Sequence, residues 1–183
     1  MDQALKELGG YIRDTLGSSV EDMGVRLGEL TITIRRDDLL KVMKFLKDDA
    51  NCQFLTLLDV CGVDYPDDDE RFEIVYHMLS MTHNNRIRVK LRTNEDTPVD
   101  SVTGLFNAAN WWEREVWDMF GVAFNDHPDL RRLLKHCGGA QARSRTRGIE
   151  CRHHSTETTK RHERHDHPRA RRRLFCHQFH QLP

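Results

Sequence analysis

The segment from Arg86 to Thr93 constrains the fold most, because its side chains alternate strictly between cationic and apolar. The apolar positions are Ile87, Val89 and Leu91, and the cations are Arg86, Arg88, Lys90 and Arg92. Successive side chains of a β-strand point to opposite faces, so a period of two predicts a strand with one buried and one charged face. The charged face is either solvated or a docking face for an acidic neighbour, and both interpretations stay open.

Similar patterns predict more strands. Arg71–Ser80 is expected to pair with the first strand across the loop Met81–Asn85. Phe54–Val63 is a mostly apolar run that ends in an acidic turn. Residues 25–34 alternate on both sides of Gly28-Glu29, which indicates a β-hairpin with one buried face.

Helices are predicted between these strands. Residues 3–16 carry apolar side chains near a helical period, and Gly17 can end that helix. Asp37 or Asp38 can cap a second helix, and Pro98 can start a short third one. The order of elements predicts an α+β fold with a mixed, largely antiparallel sheet and packed helices, followed by an irregular C-terminal tail.

The charge distribution divides the chain in two. Residues 1–135 hold 17 Lys and Arg against 25 Asp and Glu, a net charge of −8, whereas residues 136–183 hold 11 against 4, a net charge of +7. Eight of the 11 histidines also lie in the second part. This asymmetry predicts an acidic folded domain over residues 1–135 and a basic, His-rich tail over residues 136–183.

The cysteines and the N-terminus indicate a reducing compartment. There is no CxxC pair, and the start of the chain has the features of neither a secretory signal nor a transit peptide. Cys52 and Cys61 stand among apolar residues and are expected to be core thiols rather than ligands. No apolar run approaches the roughly 18 residues that span a bilayer, so membrane association is expected only through partners.

The segment from Asn110 to Leu134 gathers all three tryptophans among alternating charges. Asn110 can cap a helix that Gly121 ends, and Arg114 and Asp118 have the spacing of a helical ion pair. The residue before Pro128 is expected to be extended or in a turn. Beyond it, an apolar helical spacing resumes at Leu130, Leu133 and Leu134.

This segment admits three chemical interpretations. An acid/base set of Glu113, Glu115 and Asp118 is disfavoured because Glu113 and Glu115 lie about 200° apart around a helix. A stand-alone hydrolase would use Glu115 and Asp118. A metal site from Glu115, Asp118 and His127 lacks any established ligand spacing. The third interpretation is structural: ion pairs and partner groups fix the charges, and Trp and Arg are typical anchors of protein interfaces.

Sequence motifs then point to a family. The pattern E-R-E-x-x-D-M-F-G at Glu113–Gly121 is followed by Phe124 and by H-P-D-L-R-R at His127–Arg132. It closely resembles the signature of the thirty-kilodalton-type subunit of proton-translocating NADH–quinone oxidoreductase, respiratory complex I. The runs Leu57–Pro66 and Phe72–His77 are similar to that family too, so the resemblance covers roughly residues 1–135.

The resemblance implies a non-catalytic scaffold subunit of the peripheral arm, which packs against the large quinone-site subunit. It implies no catalytic, cofactor-binding or metal-binding residue in this chain; NADH, FMN, iron–sulfur clusters and quinone would belong to other members of the assembly. The alternative is the equivalent subunit of a related ferredoxin-, formate- or hydrogenase-linked membrane complex. The expected location is the cytoplasmic face of the bacterial inner membrane, with the mitochondrial matrix side as alternative.

The expected signature and docking residues span both halves of the segment. Trp111, Trp112, Trp117 and Phe120 are expected to fix the helix, whereas Arg114, Asp118, Arg131 and Arg132 orient it or meet the neighbour. The full set is Trp111, Trp112, Glu113, Arg114, Glu115, Trp117, Asp118, Met119, Phe120, Gly121, Phe124, His127, Pro128, Asp129, Leu130, Arg131 and Arg132.

The tail departs from the family pattern, which would continue with a Gly-His-Pro-Leu-Arg-Lys-Asp-type segment. Its apolar residues are too sparse for a packed element, so the tail is expected to be disordered or altered in frame. The favoured hypothesis is a change of reading frame near Lys135, because the composition breaks abruptly after an intact signature.

Two functional interpretations of the tail stay open. A metal-binding tail would use Cys151, His153, His154, His162, His165 and His167. A tail for nucleic acid or another anionic surface would use Arg169, Arg171, Arg172 and Arg173, although no nucleic-acid partner is expected.

Overall fold

A computed structural model describes residues 2–133 of the chain. The elements are α1 (Asp2–Leu16), β1 (Val20–Arg26), β2 (Glu29–Ile34), α2 (Leu39–Asp48), β3 (Thr56–Asp64), β4 (Phe72–Ser80), β5 (Asn85–Thr93), β6 (Val99–Asp100), α3 (Ala109–Phe120) and β7 (Phe124–Asn125). Short 3₁₀ turns at Gly17–Ser19 and Arg36–Asp38 precede β1 and α2. The predictions for the tail lie outside the described residues.

Five strands form one mixed sheet in the order β1-β2-β5-β4-β3. The β2–β5 pair is parallel and the other three pairs are antiparallel, so the predicted α+β class and largely antiparallel sheet are confirmed. One register row runs from Ile32 through Val89 and Tyr76 to Val60. All four side chains of this row are buried, which places the core on this face of the sheet.

The helices pack on that apolar face. Ile12 of α1, Met43 of α2 and Val116 of α3 belong to the same buried cluster as Ile32 and Val89. Burying a large aliphatic side chain contributes roughly 1.5–3 kcal/mol, so this layer supplies much of the stability of the fold. We call the opposite side, defined by Cys61, Glu73, His77, Arg88 and Lys90, the polar face.

On the polar face, the cations of β5 meet carboxylates of the same chain. Arg88 lies 2.7 Å from Glu29 and Lys90 lies 2.8 Å from Glu73. Arg92 lies 2.9 Å from an Asp68 oxygen. The partly exposed pairs of Arg88 and Arg92 with Glu29 and Asp68 each stabilise by only about 0–1 kcal/mol, so they order the strand surface more than they hold the sheet together. Glu73, which meets Lys90, is largely buried.

Residues with a left-handed backbone conformation end the first helix and form the turn of the hairpin. Gly17 follows α1 with a φ of 56°, which confirms it as the stop. The hairpin turn lies at Leu27 and Gly28, with φ of 54° and 75°, one residue earlier than predicted. Positive φ at both central residues belongs to the type I′ turn, whose twist matches that of paired strands.

One helix prediction was wrong, and one capping prediction is confirmed in position but not in its hydrogen bond. The segment after Pro98 is not a helix: Val99 pairs with Phe124, and the Val99 N–H donates to the Ala123 carbonyl over 2.9 Å. This non-local pairing draws the segment into an extended conformation. At α2, Asp38 occupies the N-cap position but makes no side-chain capping bond, because a 3₁₀ turn already leads into the helix.

No helix within residues 2–133 combines the length and hydropathy needed to cross a membrane.

Candidate docking site at the tryptophan-rich helix

Helix α3 begins earlier than the sequence predicts. Ala108 is the N-cap, so Asn110 lies inside the first turn and the predicted Asn110 cap was wrong. The C-terminal prediction is confirmed: Gly121 adopts φ 79° and its N–H donates to the Trp117 carbonyl over 2.9 Å. A glycine accepts this left-handed conformation without steric cost, which fixes where the chain leaves the helix.

The inner side of α3 carries a buried stripe at helical spacing. Ala109, Glu113 and Val116 are buried, and Phe120 packs against the core at the end of the stripe. Trp112 and Trp117 also pack against the core, as expected. Positions 109, 113, 116 and 120 share one helix face, so this spacing was the signal that Glu113 points inward.

The Glu113 carboxylate fastens α3 to the segment that precedes it. Ser101 Oγ donates to Oε2 over 2.6 Å, and the Val102 N–H donates to Oε1 over 2.8 Å. Burial raises the pKa of Glu113 to about 7, although both hydrogen bonds oppose the shift. Because both carboxylate oxygens accept hydrogen bonds from the same chain, Glu113 acts as a structural cross-link between α3 and residues 101–102.

His127 fastens the other flank of the helix. Its imidazole is fully buried; Nδ1 accepts the Asp129 N–H over 3.0 Å and Nε2 lies 3.2 Å from the Asn110 carbonyl oxygen. Since Nδ1 accepts, the proton lies on Nε2, which donates to that carbonyl. Burial lowers the pKa of His127, in agreement with a neutral ring. Nε2 also lies 3.9 Å from Glu113.

The predicted Arg114–Asp118 pair is replaced by contacts to the following segment. Arg114 Nε donates to the Arg131 carbonyl over 3.1 Å, and the Leu133 N–H donates to Asp118 Oδ2 over 3.2 Å. Arg132 Nε lies 3.8 Å from Asp118 Oδ1. These contacts take the backbone groups that a helix would use, so residues 130–133 are irregular and the predicted helical spacing was wrong; Leu134 lies outside the described residues.

The remaining signature residues surround this interaction. Phe124 is buried, Leu130 packs against the core, and Asp129 lies 2.9 Å from Arg131. Pro128 is exposed and lies in a turn. Together with Gly121 they set the path of the chain from the end of α3 back along the helix.

The outer side of α3 presents three residues one helical turn apart. Trp111 is 56% exposed and Met119 is 39% exposed, with the partly buried Glu115 between them. That Trp111 helps to fix the helix stays a prediction. Exposed Arg131 and Arg132 follow in sequence. We call Trp111, Glu115 and Met119 the outer stripe.

The structure does not gather the alternative chemical sites. Glu113 points into the core and Glu115 lies on the outer stripe, as the helical geometry predicts. His127 contacts Asn110 and Asp129 rather than Glu115 and Asp118. Between residues 2 and 133 there is no group of three or more His, Cys, Asp or Glu side chains that could hold a metal ion.

Comparison with known sequences places these features in one family. The family model for the respiratory-chain NADH dehydrogenase 30 kDa subunit matches residues 32–141. An NADH-quinone oxidoreductase subunit of Paramagnetospirillum magneticum is 56% identical over 143 residues, which cover 75% of this chain and 70% of the relative. The same subunit of Hyphomonas neptunium is 52% identical over 136 residues, which cover 74% of this chain and 67% of the relative.

Solved structures share the fold. A trypsin-resistant fragment of Nqo5, residues 1–134, is 34% identical with a TM-score of 0.57, over 69% of this chain and 99% of the fragment. A chain of the membrane-bound sulfane sulfur reductase, an archaeal respiratory membrane complex, is 25% identical with a TM-score of 0.58, over 67% of this chain and 71% of that one. By sequence and by fold, the chain belongs to the family of the 30 kDa subunit of respiratory-chain NADH dehydrogenase.

Proposed function

We propose that the chain is the thirty-kilodalton-type subunit of an NADH–quinone oxidoreductase and serves as a non-catalytic scaffold of its peripheral arm. The assembly transfers electrons from NADH to quinone and couples this transfer to proton translocation. FMN, iron–sulfur clusters and quinone would be bound by other members of the assembly. Relatives named as this subunit of NADH-quinone oxidoreductase share more than half of the aligned residues, which supports the assignment. The match to the sulfane sulfur reductase complex, at 25% identity, is weaker and does not favour the alternative of a related complex.

The observation that carries the scaffold role is how α3 divides its side chains. Glu113, Arg114 and Asp118 are engaged with their own chain, which fixes the helix and the segment after it. The outer stripe instead presents Trp111 and Met119 to solvent. Trp and Met are enriched where proteins bind each other, and a rigid exposed aromatic anchor binds with little loss of conformational freedom.

We infer that the outer stripe docks the large quinone-site subunit, with Arg131 and Arg132 as a charged rim. Trp111 would enter an apolar pocket of that partner, and the rim arginines would orient the encounter. Membrane association would follow from this contact and from other members of the peripheral arm. The corresponding location is the cytoplasmic face of the bacterial inner membrane.

We further infer that residues 1–135 are the family domain and that residues 136–183 are a segment appended to it. The contacts from α3 to Arg131, Arg132 and Leu133 support a domain that extends at least to residue 133. The family match extends six residues into the appended segment, to residue 141, and leaves residues 142–183 outside it.

The experiment is co-purification of the tagged full chain from membranes, with the associated chains identified by mass. We expect the large quinone-site subunit together with an NADH-binding flavin subunit. The double variant Trp111→Ala/Met119→Ala should weaken the affinity for the large quinone-site subunit at least about 30-fold and so lower its yield, since one hot-spot side chain contributes about 2 kcal/mol or more.

Matched controls remove exposed apolar side chains elsewhere. Leu40 on α2 is 41% exposed and Met81 in the β4–β5 turn is 73% exposed. Leu40→Ala and Met81→Ala should leave the yield of the large quinone-site subunit unchanged. An unchanged yield from the Trp111→Ala/Met119→Ala variant would contradict docking through the outer stripe, and recovery of a ferredoxin-linked or hydrogenase partner set would contradict the assigned complex.

A further inference from the structure

A cysteine, a histidine and an aspartate lie together on the polar face of the sheet. Asp59 of β3 and His77 of β4 are register partners, and Cys61 follows Asp59 on the same face. Cys61 Sγ lies 3.8 Å from His77 Nε2. Cross-strand diagonal neighbours on one face are within reach of each other's side chains, so the strand register itself builds this contact.

All three side chains are partly exposed, and Cys61 carries a thiol. The core is on the other face, where the neighbouring Gly62 is covered by α3. The sequence-based expectation that Cys61 is a core thiol was therefore wrong, whereas it is confirmed for the buried Cys52. Alternation along β3 explains the position of Cys61, because Cys61 and the buried Gly62 are adjacent and face opposite sides of the sheet.

The surroundings of the pair are charged. Arg88 on β5 is the register partner of His77, and Lys90 lies two residues further along β5 on the same face. Glu29 and Glu73 pair with these two cations. Burial lowers the pKa of His77, as do Arg88 and, more weakly, Lys90, while Asp59 and Glu29 oppose the shift. His77 is therefore neutral near pH 7 and its ring can accept a proton.

We propose that Cys61 is a reactive thiol and a site of reversible modification by small disulfides, with His77 as its base and Asp59 as the residue that supports the imidazolium. Reactive cysteines occupy partly exposed positions beside cations or histidine, and Cys61 is partly exposed and lies beside His77. This proposal is independent of the docking role of α3, because it concerns the opposite face of the sheet.

The reaction is thiol–disulfide exchange. His77 Nε2 accepts the thiol proton, and the Cys61 thiolate attacks one sulfur of the incoming disulfide. The old sulfur–sulfur bond breaks as the new one forms, and the departing thiolate takes the proton from the imidazolium. One disulfide is consumed and one mixed disulfide and one thiol are produced, so no other oxidant is required.

Cys52 provides an internal reference. It is buried beside Asp49, and burial, together with that carboxylate, raises the pKa of the Cys52 thiol to about 12. Almost no thiolate forms at neutral pH at such a site, and the reagent cannot reach it. The two thiols of the folded domain should therefore differ widely in rate.

The test treats the full chain with dithiobis(nitrobenzoate) and follows labelling by mass. Cys52 and Cys61 lie between Lys47 and Arg71 on one tryptic peptide, so fragment ions must distinguish them. We expect Cys61 to react at least about tenfold faster than Cys52 at pH 7. His77→Gln should slow Cys61 about tenfold at pH 7 and little at pH 9, where the thiol ionises without a base.

Asp59→Asn is the second variant, with a smaller loss at pH 7 and the same recovery at pH 9. Equal rates for Cys61 and Cys52 in the unsubstituted chain would overturn the proposal without reference to any variant. A His77→Gln chain that is folded by circular dichroism and keeps the original pH profile would overturn the role of His77. If that variant does not fold, the pH profile of the unsubstituted chain decides: labelling of Cys61 that follows an ordinary thiol titration contradicts an assisting base.

Discussion

The ring of Phe120 lies directly on the backbone of Gly62, so closely that a Cβ at position 62 would stand 2.8 Å from Phe120 Cδ2. The same ring meets Phe72 edge-on, with centroids 6.2 Å apart. The end of α3 therefore rests on β3 and β4 only because residue 62 has no side chain. This contact sets the distance between α3, which carries the outer stripe, and the sheet.

Gly62→Ala should destabilise the domain by about 1–3 kcal/mol, because the new methyl group must displace the Phe120 ring from its packed position. Urea unfolding at equilibrium measures the change. Gly24→Ala is the matched control: Gly24 is also in a strand, and nothing lies within 4 Å of the added Cβ. Phe120→Leu in the Gly62→Ala background should recover part of the loss, and two strictly additive losses would contradict the steric explanation.

The raised pKa of Glu113 predicts that the free energy of unfolding falls as the pH rises. Its pKa is about 7 in the fold against 4.5 ordinarily, so the contribution is fully present below pH 4.5 and is lost as the pH rises through 7. Glu113→Gln keeps the shape and cannot ionise. It should match the original chain at pH 4.5 and exceed its stability at pH 8 by up to about 3 kcal/mol.

Urea unfolding between pH 4.5 and pH 8 gives that difference. Comparing the two chains at each pH cancels the titration of every other group. Glu113→Ala is the control that removes the hydrogen bonds from Ser101 and Val102, and it should be less stable at every pH. A difference between Glu113→Gln and the original chain that does not vary with pH would show that Glu113 titrates normally.

The lowered pKa of His127 predicts the opposite dependence, in which the free energy of unfolding falls as the pH falls. Its pKa is lowered in the fold, so its contribution is fully present above the unfolded value of 6.5 and is lost as the pH falls through the folded pKa. The imidazole resonances of His127 should titrate with a midpoint below 6.5, and the nitrogen shifts should show the proton on Nε2. A midpoint at or above 6.5, or a proton on Nδ1, would contradict the contacts to Asn110 and Asp129.

Limited trypsin digestion tests the division at residue 135. Residues 136–183 contain 11 Lys and Arg in a sequence with few apolar side chains. We expect a lasting fragment that ends between Arg131 and Lys135, because the contacts from α3 hold the chain as far as Leu133. The same digestion in concentrated urea should cleave throughout. Early cleavage inside residues 2–130 under native conditions would contradict a single domain.

The sequence predicted those elements whose formation depends on residues close together along the chain. The alternation in β5, the β4–β5 pairing across a short loop and the Gly121 helix end each follow from a few adjacent residues. The sheet class followed from the loop lengths between strands. The parallel pairing of β2 with β5 was not specified, because it joins Leu30 to Ile87, which lie far apart along the chain.

The site was predicted in composition but not in arrangement. The segment after Pro98 is held extended by residues 123–125, and residues 130–133 are held by Arg114 and Asp118 of α3. These partners lie at least 15 residues away along the chain, so no local propensity reveals them. The inward position of Glu113 could have been found from its spacing to Ala109 and Val116, which its charge obscured.

The change of composition after Leu134 is tested on the DNA. We predict that one of the other two reading frames past the codon for Leu134 encodes a Gly-His-Pro-Leu-Arg-Lys-Asp-type segment, because the signature up to Arg132 is intact and residues 142–183 lie outside the family match. Resequencing the region and translating all three frames is the measurement. The codon pattern of residues 1–134 provides the control, since it should continue into the alternative frame. If neither frame encodes such a segment, the basic, His-rich sequence is the natural continuation of this domain, and its cysteines, histidines and arginines need a functional explanation of their own.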